Sequence, residues 1–201
     1  GRAKKISNYL QTNHFEKVIN FTDMEKCINN LIWHLEDPRV GQSYPNYYAS
    51  KLSSEHVKVV LSGTGGDELF GGYPWRYLRG YNSIQDNEDF YDKYYQYWQR
   101  LVDNKELKEI FNPVWIEVKD IWTKDIFKNV FKNIDTSIKS NHEFINQSLY
   151  FEAKTFLHGL LIVEDKLSMA HGLETRLPYL DNDIVDFAMK CPLNFKLNSL
   201  N

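Results

Sequence analysis

Residues 61–77 read LSGTGGDELFGGYPWRY, and this stretch decides how the rest of the chain is read. Five of the ten glycines fall between Gly63 and Gly72, with two adjacent carboxylates, Asp67 and Glu68, among them. Immediately upstream, VKVVLS (57–62) is rich in β-branched residues and bounded by glycine, which predicts a buried parallel strand. A strand that runs into a glycine-rich loop and opens a helix can bind phosphate. Its backbone N–H groups form a concave nest, and the helix N-terminus adds positive potential. The loop is not a Walker A motif, because no Lys-Ser/Thr follows at the required place. It is not a dinucleotide fingerprint either, because the third glycine would fall on Glu68. Carboxylates beside such a nest repel phosphate unless a cation lies between them, and Mg²⁺ favours carboxylate, water and phosphate oxygens together. Ser62, Gly63, Thr64, Gly65 and Gly66 are thus candidate nucleotide-binding residues, with Asp67 the candidate metal ligand. A plainer reading stays open: a tight turn whose two acids cap the helix that follows.

Working outward, FEKVINF (15–21) reads as a short strand. The helix after it, within FTDMEKCINNLIWHLEDP, is expected to be capped by Thr22 or Asp23, with Glu25 completing a capping box from Thr22 and Pro38 beyond its end. A polar loop holding Gly41 and Pro45 leads to a helix in NYYASKLSSEH. Strand, helix, helix, strand and glycine loop make an α/β pattern. From about Asp86 only helices are expected, the long stretch 141–173 breaking near Gly159 or Gly172 and LDNDIVDFAMKC forming a capped helix ended by Pro192. The expected fold class is α/β, with residues 1–80 the α/β part carrying the loop and residues 81–201 helical.

A second constellation lies in VEDKLSMAHGLETRLPYLD (163–181). It concentrates Glu164, Asp165, Lys166, Glu174, Arg176 and Asp181 in an otherwise Leu- and Met-rich stretch. Charges in apolar surroundings tend to be paired, so a helix end locked by ion pairs such as Glu174–Arg176 competes with a functional site. The aromatic run FYDKYYQYWQR (90–100) reads as a helix wedging rings into a core. Arg76 could reach a phosphate or acid, or pack on Trp75. The six histidines show no metal-ligand spacing.

Composition limits the classes of function. In 201 residues, 24 Lys+Arg against 27 Asp+Glu give a net charge of −3, which argues against nucleic acid as a partner. Cys27 and Cys191 suggest neither a disulfide framework nor a zinc site, and a cytoplasmic setting is expected. No apolar run approaches a membrane span and no signal-peptide pattern opens the chain.

VVLSGTGGDELFGGY together with VEDKLSMAHGLETRLPYLD resembles the synthetase domain of glutamine-hydrolysing asparagine synthetases, and HLEDPRVGQSYPNYYASKLSSEHVKVVLSG resembles the family's approach to the loop. The resemblance implies an adenine-nucleotide α-hydrolase-like fold, of which this chain holds a partial parallel sheet followed by an all-helical region. It implies ATP-dependent amidation of aspartate through an acyl-adenylate, with ammonia released from glutamine by a glutaminase domain of the same parent chain. ATP and Mg²⁺ would be required. Ser62 and Gly63 would touch the nucleotide, Asp67 would bind Mg²⁺–pyrophosphate, and Asp67 and Lys166 would be catalytic. Glu68, Asp165, Glu174 and Arg176 would line the pocket. The family's S-G-G-x-D-S loop, glutaminase cysteine and a later functional lysine are not found here. The chain is therefore expected to be an internal fragment without synthetase activity of its own, with a homodimer or self-association through an open sheet edge possible. Thr64 stands where the best-known members carry Glu. Threonine cannot serve as a general base near neutral pH, so the amidated acid could instead be another carboxylate, such as a sugar acid. A non-catalytic relative is the remaining alternative.

Overall fold

A computed structural model describes residues 1–37, 43–81, 89–99, 102–135 and 140–197, with the side chains of 78–81 outside that description. In chain order the elements begin with helices α1 (Arg2–Leu10), α2 (Phe21–Leu35) and α3 (Ser43–Ser54), then strand β1 (Val59–Leu61) and the five-residue α4 (Gly66–Phe70). Helices α5 (Pro74–Tyr81), α6 (Phe90–Trp98), α7 (Leu107–Ile110), α8 (Trp115–Val118), α9 (Thr123–Asn129), α10 (Asn141–Lys154) and α11 (Phe156–Met169) follow. Strand β2 (Glu174–Arg176), a 3-10 turn at Pro178–Leu180, α12 (Asn182–Lys190) and α13 (Leu193–Lys196) close the described chain. Among the described residues helices predominate, with one two-stranded parallel sheet.

The chain divides into two compact units, each built from two segments: residues 1–63 with 159–178, and residues 64–158 with 179–201. In the first, Cys27, Leu31 and Leu35 recur at helical spacing along α2 and close on Tyr47 of α3 and on Val163 and Leu167 of α11. The Tyr48 hydroxyl donates to the Asp23 carbonyl (2.8 Å), tying α3 to the start of α2. β1 and β2 pair in parallel, Val59 opposite Glu174 and Leu61 opposite Arg176. The second unit is organised by aromatic rings. Phe90, Tyr94 and Tyr95 of α6 pack with Phe127 of α9, with Phe131, and with Phe144 and Phe151 of α10. Phe90 and Phe144 stack face to face at 4.4 Å.

Several expectations change. Residues 15–20 form no strand, and α2 begins at Phe21, capped by Asn20. The Asn20 side chain accepts from the Asp23 N–H, and the Asp23 carboxylate accepts from the Asn20 N–H. The capping box is real but lies two residues upstream of the expected one, because Asn20 offers the same short acceptor as Thr22. Pro45 belongs to the first turn of α3, where proline is tolerated; Pro38 and Gly41 lie outside the described residues. The strand in 57–62 forms as β1, parallel as expected but not buried: Val59 is 47% and Leu61 70% exposed. The later half is not wholly helical, because Glu174–Arg176 forms β2. Three residues are too short to show a strand's alternation. The long helical stretch breaks at Thr155 and again after Met169, where Gly172 turns with a positive φ, while Gly159 lies within α11. The aromatic run packs into the core as expected, and α12 starts on an Asp181 cap. No helix among the described residues is long and apolar enough to cross a membrane.

Candidate functional site

The glycine-rich loop starts where the sheet ends. The Ser62 N–H donates to the Arg176 carbonyl (2.9 Å), and the Glu174 N–H donates to the Lys58 carbonyl (2.9 Å), so the ladder continues past both ends of the strand register. The two motifs are therefore stitched together through backbone, with Ser62 held at the mouth of the loop. The side chains of Glu174 and Arg176 point to solvent and approach one another only to 3.7 Å, both more than half exposed.

Beyond Gly63 the loop enters the second unit. Gly65 caps α4 in the left-handed region, at φ 96°, a conformation glycine adopts without the penalty a Cβ would bring. A Cβ there would also lie 2.4 Å from Leu180, and one at Gly66 would touch the Tyr179 ring at 3.5 Å. Tyr179 and Leu180 of the second motif thus pack directly on the glycine pair of the first. The helix is as short as the sequence permits, because Gly71 ends it in a left-handed cap whose N–H returns to the Asp67 carbonyl. The Gly72 N–H reaches the same carbonyl at 2.8 Å. A Cβ at Gly72 would collide with the Asp67 carboxylate. The second glycine pair therefore lets this carboxylate fold over bare backbone while Asp67 stays exposed to solvent.

The neighbouring acids have different fates. Glu68 is buried, at 2% exposure, and its Oε1 accepts from the Tyr73 hydroxyl at 2.9 Å. Burial, reinforced by the bond to Glu68, holds the Tyr73 phenol well above its ordinary range and so fixes it as a donor. Asp67 is the acid left beside the glycines. Arg76 neither projects toward solvent nor rests on Trp75. Its guanidinium lies 3.8 Å from the Tyr73 ring centre and 4.3 Å from that of Phe156, and it pairs with Glu152 Oε2 at 3.0 Å. Glu152 is fully buried on α10 and also accepts from the Tyr94 hydroxyl (3.1 Å). Desolvation pushes its carboxyl up to about 7 despite Arg76.

Lys166 sits on α11 in the first unit. Its Nζ donates to the Leu35 carbonyl (3.0 Å) and to the Glu36 carboxylate, capping the C-terminus of α2. The Asp165 carbonyl accepts from the Ser168 hydroxyl (3.0 Å). Lys166, Asp165, Glu174 and Arg176 belong to the first unit, and Asp67 and Glu68 to the second. No group of three or more His, Cys, Asp or Glu among the described residues is placed to hold a metal by protein ligands alone. Sequence reasoning did not foresee Tyr73, Glu152 or the Tyr179–Leu180 lid on the glycines. Glu152 left one signal, as a lone acid in the apolar run SLYFEAKTF.

Comparison with known proteins bears on the same residues. The family model described as "Asparagine synthase" matches residues 1–201. Asparagine synthetase [glutamine-hydrolyzing] 1 of Bacillus subtilis (strain 168) is 27% identical over 232 residues, covering 96% of this chain and 34% of the relative. A putative asparagine synthetase [glutamine-hydrolyzing] of Mycobacterium tuberculosis (strain ATCC 25618 / H37Rv) is 25% identical, over 92% of this chain and 32% of the relative. A shorter match, 38% over 79 residues, joins 39% of the chain to putative asparagine synthetase [glutamine-hydrolyzing] 2 of Methanocaldococcus jannaschii. The chain spans about a third of the length of the first two relatives.

Proposed function

The chain belongs to the asparagine synthase family, and we propose that it forms part of the ATP-dependent synthetase region of a glutamine-hydrolysing amidotransferase. In this reading the parent protein activates a carboxylate as an acyl-adenylate, releasing pyrophosphate, and ammonia drawn from glutamine by a glutaminase domain displaces AMP. The fold it implies is the adenine-nucleotide α-hydrolase type, of which β1 and β2 are two parallel strands. The observation that carries the proposal is the construction of the loop. Gly65 is left-handed, Gly65 and Gly66 lie under Leu180 and Tyr179, and the Asp67 carboxylate is folded over Gly72. Two motifs far apart in sequence meet to build one small turn with one acid beside it.

Mg²⁺ fits the residues present. It is bound through one or two carboxylates plus water and phosphate oxygens rather than by a full protein cage, and Asp67 supplies one such carboxylate. When bound, the ion would neutralise the departing pyrophosphate. The backbone of Ser62–Gly66 would hold the nucleotide phosphates, and Asp67 would hold the ion. Lys166 is proposed as catalytic through the family pattern alone. Aspartate is the acid that the names of the relatives suggest. Thr64 favours a second reading in which another carboxylate, such as a sugar acid, is amidated, because threonine supplies no base at this position.

The test is pyrophosphate release from Mg-ATP by the parent protein with ammonia, comparing aspartate with no acid. Aspartate-dependent release supports asparagine formation. Release only with another acid moves the proposal to the second reading, and no release with any acid tested overturns it.

A further inference from the structure

Glu68, Tyr73, Arg76, Glu152 and Tyr94 form one continuous polar chain inside the second unit. Glu68 lies on α4, Tyr73 just before α5, Arg76 on α5, Glu152 on α10 and Tyr94 on α6. The links are a hydroxyl-to-carboxylate bond of 2.9 Å, a cation stacked on a ring at 3.8 Å, an ion pair of 3.0 Å and a second hydroxyl-to-carboxylate bond of 3.1 Å. Folding alone does not require this arrangement, because well-packed apolar residues stabilise a core as well as a buried ion pair does. Its outcome is directional. The guanidinium, clamped between Tyr73 and Phe156, fixes the plane of the Tyr73 ring and so aims its hydroxyl at Glu68. Glu68 is the residue after Asp67 on a helix of only five residues, so anchoring one side chain orients the other.

We propose that Tyr73, steadied by Arg76, is a positioning residue that sets the direction in which α4 presents the Asp67 carboxylate. The function assigned to Asp67 rests on the reading given above; the positioning itself is a property of α4 and can be measured without ligand.

The test is hydrogen exchange on the protein, comparing Tyr73→Phe with the unchanged sequence. Losing one hydrogen bond to a charged acceptor should accelerate exchange of the Gly65–Gly72 amides about tenfold, while α6 and α10 keep their protection. Glu68→Gln retains an acceptor for the hydroxyl and should exchange like the unchanged chain; Glu68→Leu should behave like Tyr73→Phe. Unchanged exchange in the loop, or a rise shared equally by α6 and α10, overturns the proposal. If Tyr73→Phe fails to fold, the Glu68→Gln and Glu68→Leu pair decides by the same criterion. Mg-pyrophosphate binding by the parent protein, measured by titration calorimetry, separates this from the functional reading. Where the unchanged parent binds, Tyr73→Phe should bind about tenfold more weakly. A parent protein that binds none while Tyr73→Phe still loosens the loop counts against the functional reading and leaves positioning supported.

Discussion

Arg76 with Glu152 and Arg176 with Glu174 are the same chemistry in two regions of one chain. The first pair closes at 3.0 Å with side chains 11% and 0% exposed; the second reaches only 3.7 Å with both side chains in water. The buried pair is roofed by rings, and the Tyr73 ring under Arg76 carries its hydroxyl to Glu68, the residue after Asp67. The exposed pair hangs from the two ends of a three-residue strand whose job is done by its backbone. An ion pair taken out of water is bound to its geometry, because either charge left alone is costly. An ion pair in water is nearly free to part. The first therefore carries architecture, and the second leaves its side chains available for something else.

The sharpest way to break this contrast is to remove one partner of the buried pair. Arg76→Ala leaves Glu152 alone among aromatic rings and should destabilise the chain by about 3–5 kcal/mol, read from the urea midpoint. Protons probe the same pair. The Glu152 carboxyl is raised from its ordinary value to about 7, so the folded chain holds a proton that the unfolded chain has released. The stability this contributes is full below the ordinary Glu value near 4.5 and is lost as pH rises toward 7. Across that window the unchanged protein should lose on the order of 3 kcal/mol relative to Glu152→Gln, which carries no such proton. Parallel profiles for the two proteins would show that Glu152 stays ionised throughout and that the pair is stronger than its burial suggests.

A smaller effect is expected at the loop. Gly65→Ala places a Cβ in a left-handed residue and against Leu180 and should cost about 1–2 kcal/mol in thermal unfolding. Gly63→Ala meets nothing within 4 Å and should change stability little. Equal effects at the two positions would dissolve the claim that the second motif packs on the first through Gly65.

How much of this was legible depends on which force decides each part. Aromatic burial in 90–100 follows from ring area and could be read directly from composition. The glycine loop was legible because positive φ and close approach leave few residue choices besides glycine. β2 was not, because three residues gain strand geometry only from a partner remote in sequence. Nor was the fate of Glu68. Asp67 and Glu68 are adjacent and chemically alike, and what separates them is the reach of Tyr73, a tertiary fact. Arg76 illustrates the same limit: the choice posed by the sequence, ligand or Trp75, omitted Glu152, which lies on a helix far along the chain.

The smallest effect tests the other half of the contrast. Arg176→Ala should move stability by no more than about 0.5 kcal/mol, since it removes an exposed side chain 3.7 Å from its partner and leaves the Leu61–Arg176 backbone register intact. That near-silence gives the measurement its use. A side chain that folding does not need can be removed without confounding any other assay, so Arg176→Ala in the parent protein separates activity from stability cleanly. Unchanged stability with acid-dependent pyrophosphate release cut tenfold or more would place the guanidinium in the synthetase reaction, as the family pattern implies. Unchanged stability with unchanged release would mean that the second motif serves the loop through its backbone and through Tyr179 and Leu180 alone. A large loss of stability would contradict both and would show that the exposed pair is not the loose contact its geometry describes.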